Sequence, residues 1–265
     1  MFENIIKNVH NRHPLIHCIT NYVSINDCAN IVLACGGAPI MAEDINEVSQ
    51  ITSICQGLDI NIGMLNDNKL SSMLKAGATA NELGIPVILD PVGAGSSDYR
   101  IKAVQNLMSN VQFGVIRGNV SEIKAIAANQ GIHNISAGVY DTMQKDKSAM
   151  GVEAGIADKI TDDNIKEMAD FINKLSQKTG AVIAVTGRID MVADENRVYA
   201  IRNGHKMMSL VTGAGCQLSA LTSAYVAADK EHILESVCAA VSVMGISGEL
   251  AYRRICLLYT SDAAD

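Results

Sequence analysis

The 265-residue sequence predicts an α/β fold: a mostly parallel central sheet with helices on both faces. Three observations carry that expectation. Apolar runs of strand length alternate with amphipathic segments of helix length, the pattern of repeated βαβ crossovers. Pro86-Val87-Ile88-Leu89 is continuously apolar, as a strand covered on both faces must be. Polar or glycine-rich turns follow most of the strand-like runs, where an open α/β sheet binds its ligands.

The elements follow in order. Leu15 to Thr20 reads as a short strand stopping at Asn21, and Val23 to Ala34 as a helix broken by Gly36-Gly37. Ala38 to Met41 is a second strand and Ile45 to Gln56 a helix; Leu58 to Ile62 is a strand ending in Gly63, with a helix from Asn68 to Leu83. Pro86 to Leu89 runs into the turn-rich Asp90 to Gly95. Phe113 to Ile116 and Ala181 to Val185 are further strands, with helices over Val120 to Asn129 and near Asp163 to Gln177. A hairpin pairs Asp190 to Ala193 with Val198 to Ile201 around Asp194-Glu195-Asn196. Two apolar helices, Gly213 to Ala228 and His232 to Tyr252, close the fold. Ala137 to Gly155 fits neither period and reads as a solvated loop or short insertion. With no internal repeat or low-complexity linker, residues 1–253 read as one domain. Arg254 to Asp265 breaks the preceding pattern and reads as an atypical tail, either a real terminal extension or, the favoured alternative, foreign sequence.

Composition narrows the function classes. Hydrophobic residues make up 48% and charged residues 18%, enough apolar material for a sizeable core. Twenty-one basic against 28 acidic residues give a net charge of −7, which argues against nucleic-acid binding but leaves room for a locally bound anion such as ATP. Aromatics are 4% with no Trp, a poor basis for stacking bases. Seven scattered cysteines without a CxxC pair read as reduced thiols of a cytoplasmic protein, mostly small buried hydrophobes. No signal peptide is visible, and no apolar run is expected to reach the ~18 residues of a membrane span. His17 reads as a satisfied core or pocket histidine rather than a metal ligand.

Neither GxxxxGK[ST] nor a GxGxxG after the first strand is present, so phosphate must be held another way. Thr212-Gly213-Ala214-Gly215-Cys216 feeds a glycine-rich turn into an apolar helix. Gly213, Ala214, Gly215 and Cys216 would offer free backbone amides as an anion hole for a phosphoryl group in transfer. An ordinary strand–helix turn with a buried cysteine would have the same signature. Asp90 puts a carboxylate at a strand's carboxyl end, and Arg117 follows the next strand with Glu122 one turn into a helix. Asp90 and Glu122 suit Mg²⁺, held directly or through water; alone, each has a plain reading as turn former or surface ion pair. Three such loops at strand carboxyl ends make coincidence a poor account.

The Asp90-Pro91-Val92-Gly93-Ala94-Gly95 loop, the Arg117-Gly118-Asn119-Val120-Ser121-Glu122 segment and the Gly213 to Cys216 turn resemble the ribokinase-like vitamin kinases. Pro14 to Val23, Asn26 to Asn30 and Ala38 to Glu43 narrow that resemblance to the hydroxyethylthiazole kinases, over roughly Pro14 to Tyr252. The resemblance implies ATP- and Mg²⁺-dependent phosphorylation of 4-methyl-5-(2-hydroxyethyl)thiazole, a thiamine salvage step. It implies that Arg117 and Thr186 contact ATP phosphates, that Asp90, Asn119 and Glu122 organise the metal region, and that Met41, Asn26 and the Gly213 backbone line the thiazole pocket. It implies a homotrimer with substrate sites between subunits, so that Met41 acts on a neighbour's site. Cys216 stands where many relatives in the wider fold carry Asp. The family usually continues past the final helix into a Gly-Pro-Gly-Ser-Phe segment, absent here, and its equivalent of Ala137 to Gly155 is usually shorter. The competing readings are another kinase of this fold, such as one for hydroxymethylpyrimidine, or a nucleotide-hydrate dehydratase, either of which would more naturally carry Asp at 216. A non-catalytic ligand-binding relative is the reading from a different class.

Overall fold

The computed structural model describes residues 2–132 and 159–261, so the segment from Ala137 to Gly155 lies outside the described residues. Eight strands form one sheet: β1 (Leu15–Ile19), β2 (Ala38–Ile40), β3 (Gly57–Asn61), β4 (Val87–Asp90), β5 (Val115–Asn119), β6 (Val182–Thr186), β7 (Asp190–Ala193) and β8 (Val198–Ile201). Their order is β2-β1-β3-β4-β5-β6-β7-β8. Strands β2 through β6 run parallel, and β7 and β8 join antiparallel as the expected hairpin.

Alternation along each strand assigns its side chains to one of two cores. Leu58, Ile60, Leu89, Ile116 and Ile183 face one side. There they meet α3 (Val48–Ile54), α4 (Asp67–Glu82), α5 (Asp98–Asn110), α6 (Val120–Asn129) and α7 (Ile165–Thr179). Ile16, Cys18, Ile88, Val115 and Ala184 face the other side. There α1 (Phe2–Arg12), α2 (Ile25–Ala34), α8 (Ala214–Ala228) and α9 (Ile233–Ser261) cover the sheet. Helix α8 is apolar all round because it is buried all round: every residue from Leu218 to Ala228 is buried, against β1, β3 and β4 beneath and α1, α2 and α9 beside it.

Three findings depart from the sequence expectations. Helices α1 and α5 were not foreseen; each buries a short stripe, Ile5 and Val9 in α1 and Ala103, Val104 and Leu107 in α5, among polar residues. Helix α9 does not stop near Tyr252 but runs on to Ser261. Its Ile233–Ile255 stretch has the length and apolar composition of a membrane span, contrary to expectation, yet half of it is buried as a core helix of this fold. His17 behaves as a satisfied core histidine, its ring nitrogens 2.9 Å from Thr52 Oγ1 and 2.7 Å from the Ala42 carbonyl, and burial lowers its pKa.

One carboxyl intrudes on the α8 side of the sheet. Asp59, in β3, is fully buried, and neither of its carboxylate oxygens has a hydrogen-bond partner among the described residues. Burial, then the charge of Asp90, pushes its pKa well above the usual range, although Arg117 opposes the shift. The folded chain therefore keeps this proton while the unfolded chain releases it near pH 4, so this group erodes stability as pH rises from about 4. Asp59→Val is expected to stabilise the fold by about 1–3 kcal/mol, the usual cost of an unpaired buried polar group, with a larger gain at pH 8 than at pH 4. Denaturant unfolding of both proteins at the two pH values checks it.

Candidate active site

The ends of the strands gather polar residues on one face of the sheet. In register, Asn61 of β3 stands beside Asp90 of β4; on the next pair Arg117 of β5 stands beside Ala184 of β6, and Thr186 lies two residues further along, beside Asn119. Asp90 is fully buried. Its Oδ2 accepts hydrogen bonds from Asn61 Nδ2 (2.7 Å) and from the Ser219 hydroxyl (2.9 Å), one turn into α8. Its Oδ1 lies 3.7 Å from Arg117 Nη1 and has no hydrogen-bond partner among the described residues. Burial pushes the Asp90 carboxyl up to about 6; Arg117 and the hydrogen bonds from Ser219 and Asn61 oppose that rise, and Glu122 adds to it.

Arg117 is held from the other end, where its Nη2 donates to Thr186 Oγ1 at 2.6 Å. Its Nε is buried without a partner among the described residues, a donor left over for an anion. The start of α8 presses directly on this guanidinium: a Cβ placed on Gly215 would lie 2.8 Å from Arg117 Nη1. Gly215→Ala fits a helical backbone but displaces the guanidinium. It is expected to lower kcat/KM for ATP by about tenfold or more without unfolding the protein, readable from steady-state kinetics beside a thermal melt.

Gly213 takes φ +79°, a conformation that favours glycine, and a Cβ there would stand 2.6 Å from that of Ser24. Of the amides expected to cradle an anion, that of Ala214 is already spent on the Val211 carbonyl at 3.3 Å. The first helical hydrogen bond runs from Gln217 N–H to Gly213 O, so the amides of Gly215 and Cys216 belong to the open first turn. Cys216 is buried beside them. Burial, then Asp90, raises its thiol pKa, against hydrogen bonds from Ser24 and Asn61 and the charge of Arg117. The thiol is therefore protonated at neutral pH.

Asn119 and Glu122 form a capping box on α6: the Asn119 side chain accepts from Glu122 N–H, and Glu122 Oε2 accepts from Asn119 N–H at 2.8 Å. Glu122 Oε1 accepts the Gly93 amide at 3.0 Å, tying the loop after β4 to α6. Among the described residues no group of three or more His, Cys, Asp or Glu is arranged to hold a metal. Two carboxylates, one with an orphaned oxygen, suit a cation such as Mg²⁺ that keeps its waters and shares phosphate oxygens; they do not form a closed protein cage.

These groups open on a cavity of about 490 Å³ lined by Asp90, Arg117, Asn119, Glu122, Gly213 and Cys216, among others. Thr186 reaches it only through Arg117. Two expected pocket residues stand apart from it. Asn26 is exposed on the first turn of α2, and Met41 packs half-buried against the α8 side of the core, because β2 is the edge strand and its end lies away from the centre of the sheet. In their place Asn21, Val23 and Ser24, from the turn after β1, form that wall. The sequence reading also missed Asn61, Ser219 and Arg100. Asn61 had a signal, since it ends a strand two residues before Gly63. Ser219 stands one helical turn beyond Gly215, the spacing that shares a face. Arg100 sits on the unforeseen α5 and donates to the carbonyls of Ile62, Val92 and Gly63, clamping two loops together.

Known proteins carry the same architecture. The family model described as the hydroxyethylthiazole kinase family matches residues 6–162 and 139–257. A hydroxyethylthiazole kinase of Clostridium acetobutylicum is 52% identical over 255 residues, covering 96% of this chain and 88% of the relative. One from Desulfovibrio desulfuricans is 42% identical, covering 95% and 82%. The solved hydroxyethylthiazole kinase of Pyrococcus horikoshii OT3 superposes with TM-score 0.80 at 32% identity, over 96% of this chain and 86% of that one. An ADP complex of Bacillus subtilis pyridoxal kinase, at TM-score 0.57 and 16% identity over 86% of this chain and 88% of that one, shares the fold. With fold, sequence and solved relatives in agreement, this chain belongs to the hydroxyethylthiazole kinase family.

Proposed function

We propose that the chain transfers the γ-phosphoryl group of ATP to the primary alcohol of 4-methyl-5-(2-hydroxyethyl)thiazole, a step of thiamine salvage. Family membership supports the substrate pair. The observation that carries the chemistry is the meeting, at one cavity, of Asp90, Arg117 and the open first turn of α8.

The alcohol oxygen attacks the γ-phosphorus in line, a P–O bond forms as the bond to the β-phosphate oxygen breaks, and ADP leaves with that oxygen. Arg117, steadied by Thr186, offers its unpaired Nε and its charge to the phosphates. The Gly215 and Cys216 amides meet charge on the moving group. Asn119 and Glu122 fix the turn between β5 and α6 and, through Gly93, the loop beside the phosphates. Mg²⁺, bound through the nucleotide beside Asp90 and Glu122, would offset negative charge on the phosphate oxygens. Only the minor thiolate form of Cys216 can take the hydroxyl proton, and a loose transition state lets that transfer come late.

The exposed Asn26 and the outlying Met41 support a homotrimer in which a neighbouring copy supplies Met41 to the site, checked by the molar mass in sedimentation equilibrium. The function itself is tested by ADP release from the purified protein with Mg-ATP, with and without the thiazole alcohol, using hydroxymethylpyrimidine as control. Thiazole-dependent turnover is expected. Turnover with the pyrimidine alone would assign a different vitamin-precursor kinase, and tight alcohol binding without ADP release a binding protein.

A further inference from the structure

Lys69 is a buried cation with no part in the phosphoryl chemistry. It sits in the first turn of α4 and is 2% exposed. Both circumstances are unfavourable, since the positive end of a helix repels a cation and burial strips an ammonium of water. An apolar side chain would fill the place at less cost. What the lysine makes is a junction. Its Nζ donates to the Thr20 carbonyl at 2.5 Å, lies 3.1 Å from Glu43 Oε2, and stands 4.2 Å from the centre of the Tyr22 ring. The Tyr22 hydroxyl closes the cluster by donating to Glu43.

The junction joins the turn after β1 to the segment after β2 and anchors both to α4. The turn after β1 is a wall of the cavity: Asn21, Val23 and Ser24 line it. Ser24 abuts Gly213 and stands beside Cys216, and Asn21 abuts Gly63, so this wall flanks the place where the hydroxyl must meet the γ-phosphoryl group. Arg117 and Thr186 approach from the opposite strands of the sheet. We propose that Lys69 is a positioning residue for the alcohol: by fixing the Thr20 carbonyl and Glu43 together it holds the 20–24 wall against Gly213 and Cys216. This inference rests on the kinase reading above. It separates the two substrates, because the wall follows β1, three strands away from the β5 strand whose Arg117 would hold the nucleotide's phosphates.

The test compares wild type with Lys69→Met, Glu43→Gln and Tyr22→Phe, measuring KM and kcat for each substrate beside the thermal midpoint. Lys69→Met is expected to lower kcat/KM for the thiazole alcohol by about tenfold to a hundredfold, with KM for Mg-ATP within about twofold of wild type. The two partner variants, on half-exposed side chains that leave the fold intact, are expected to reproduce part of the alcohol-specific loss. Equal losses for both substrates, or a lowered midpoint with unchanged alcohol parameters, would overturn the assignment. If Lys69→Met does not fold, unchanged alcohol kinetics in both partner variants overturn it instead. Absence of thiazole turnover in wild type overturns the kinase reading and this inference with it, an outcome distinct from turnover without the split.

Discussion

Cys216→Ala is expected to lower kcat by about 10²–10⁴, the range for loss of a proton acceptor, while Cys216→Asp keeps or raises it. The reasoning starts from the thiol's surroundings. Burial and Asp90 raise its pKa, so almost none is thiolate near pH 7, and only a late proton transfer suits it. A carboxylate in its place would meet the same Arg117 charge and the same Ser24 and Asn61 donors, and would accept a proton far more readily at neutral pH. Single-turnover kinetics of the three proteins check this, since they isolate the chemical step from product release. A fully active Cys216→Ala would move the acceptor role to Asp90, whose Oδ1 is unpartnered nearby.

Asp90→Asn is the second large effect, a loss of about 10²–10³ in kcat, comparable with removal of a preorganised electrostatic partner. Asparagine can still accept from Asn61 and Ser219, so the fold should hold. What disappears is the charge that orients Arg117 and the carboxylate beside the nucleotide's cation. The pH dependence carries a sign. Asp90 is pushed up to about 6, so acidification below that value protonates it, and kcat/KM of wild type should fall about tenfold per pH unit there. The same raised value means that the folded chain retains a proton which the unfolded chain has lost, so Asp90 contributes less stability above pH 6 than below 4. Asp90→Asn should flatten the acid limb of the rate profile and leave stability equal or higher at pH 8. A steep acid limb retained in Asp90→Asn would assign that limb to another group.

Much of this site was readable in the chain because it follows one rule of open parallel sheets. Asp90 ends β4, Arg117 lies in the middle of β5, and Glu122 and Cys216 stand in the first turn of a helix, all near the strand ends to which periodicity points. The hairpin strands Asp190–Ala193 and Val198–Ile201 were found to the residue, since alternation and a polar turn both mark them. Asn61 and Ser219 were not found, because their part in holding Asp90 depends on which face meets which across 129 residues of chain. Helix α5 escaped because its buried stripe is three residues wide, and with it went Arg100. Glu122 was read as a metal ligand, and the structure shows both its oxygens holding backbone amides, a pairing that spacing alone does not distinguish from a metal ligand. Met41 and Asn26 came from resemblance, and one chain's cavity does not include them.

Helix α8 also fixes when this protein becomes competent as it is made. It covers the sheet face bearing Ile16, Cys18, Ile88 and Val115, yet it begins at Ala214. During synthesis, strands β1, β3, β4 and β5 leave the ribosome well before the helix that covers them, carrying an uncovered apolar face and open strand edges meanwhile. The contact that completes the Asp90 site joins residues 129 apart, the kind of distant pairing whose loop-closure cost slows folding. Catalytic competence is therefore a late event in the life of the nascent chain, and its yield in a cell depends on how well that waiting surface is shielded from other chains.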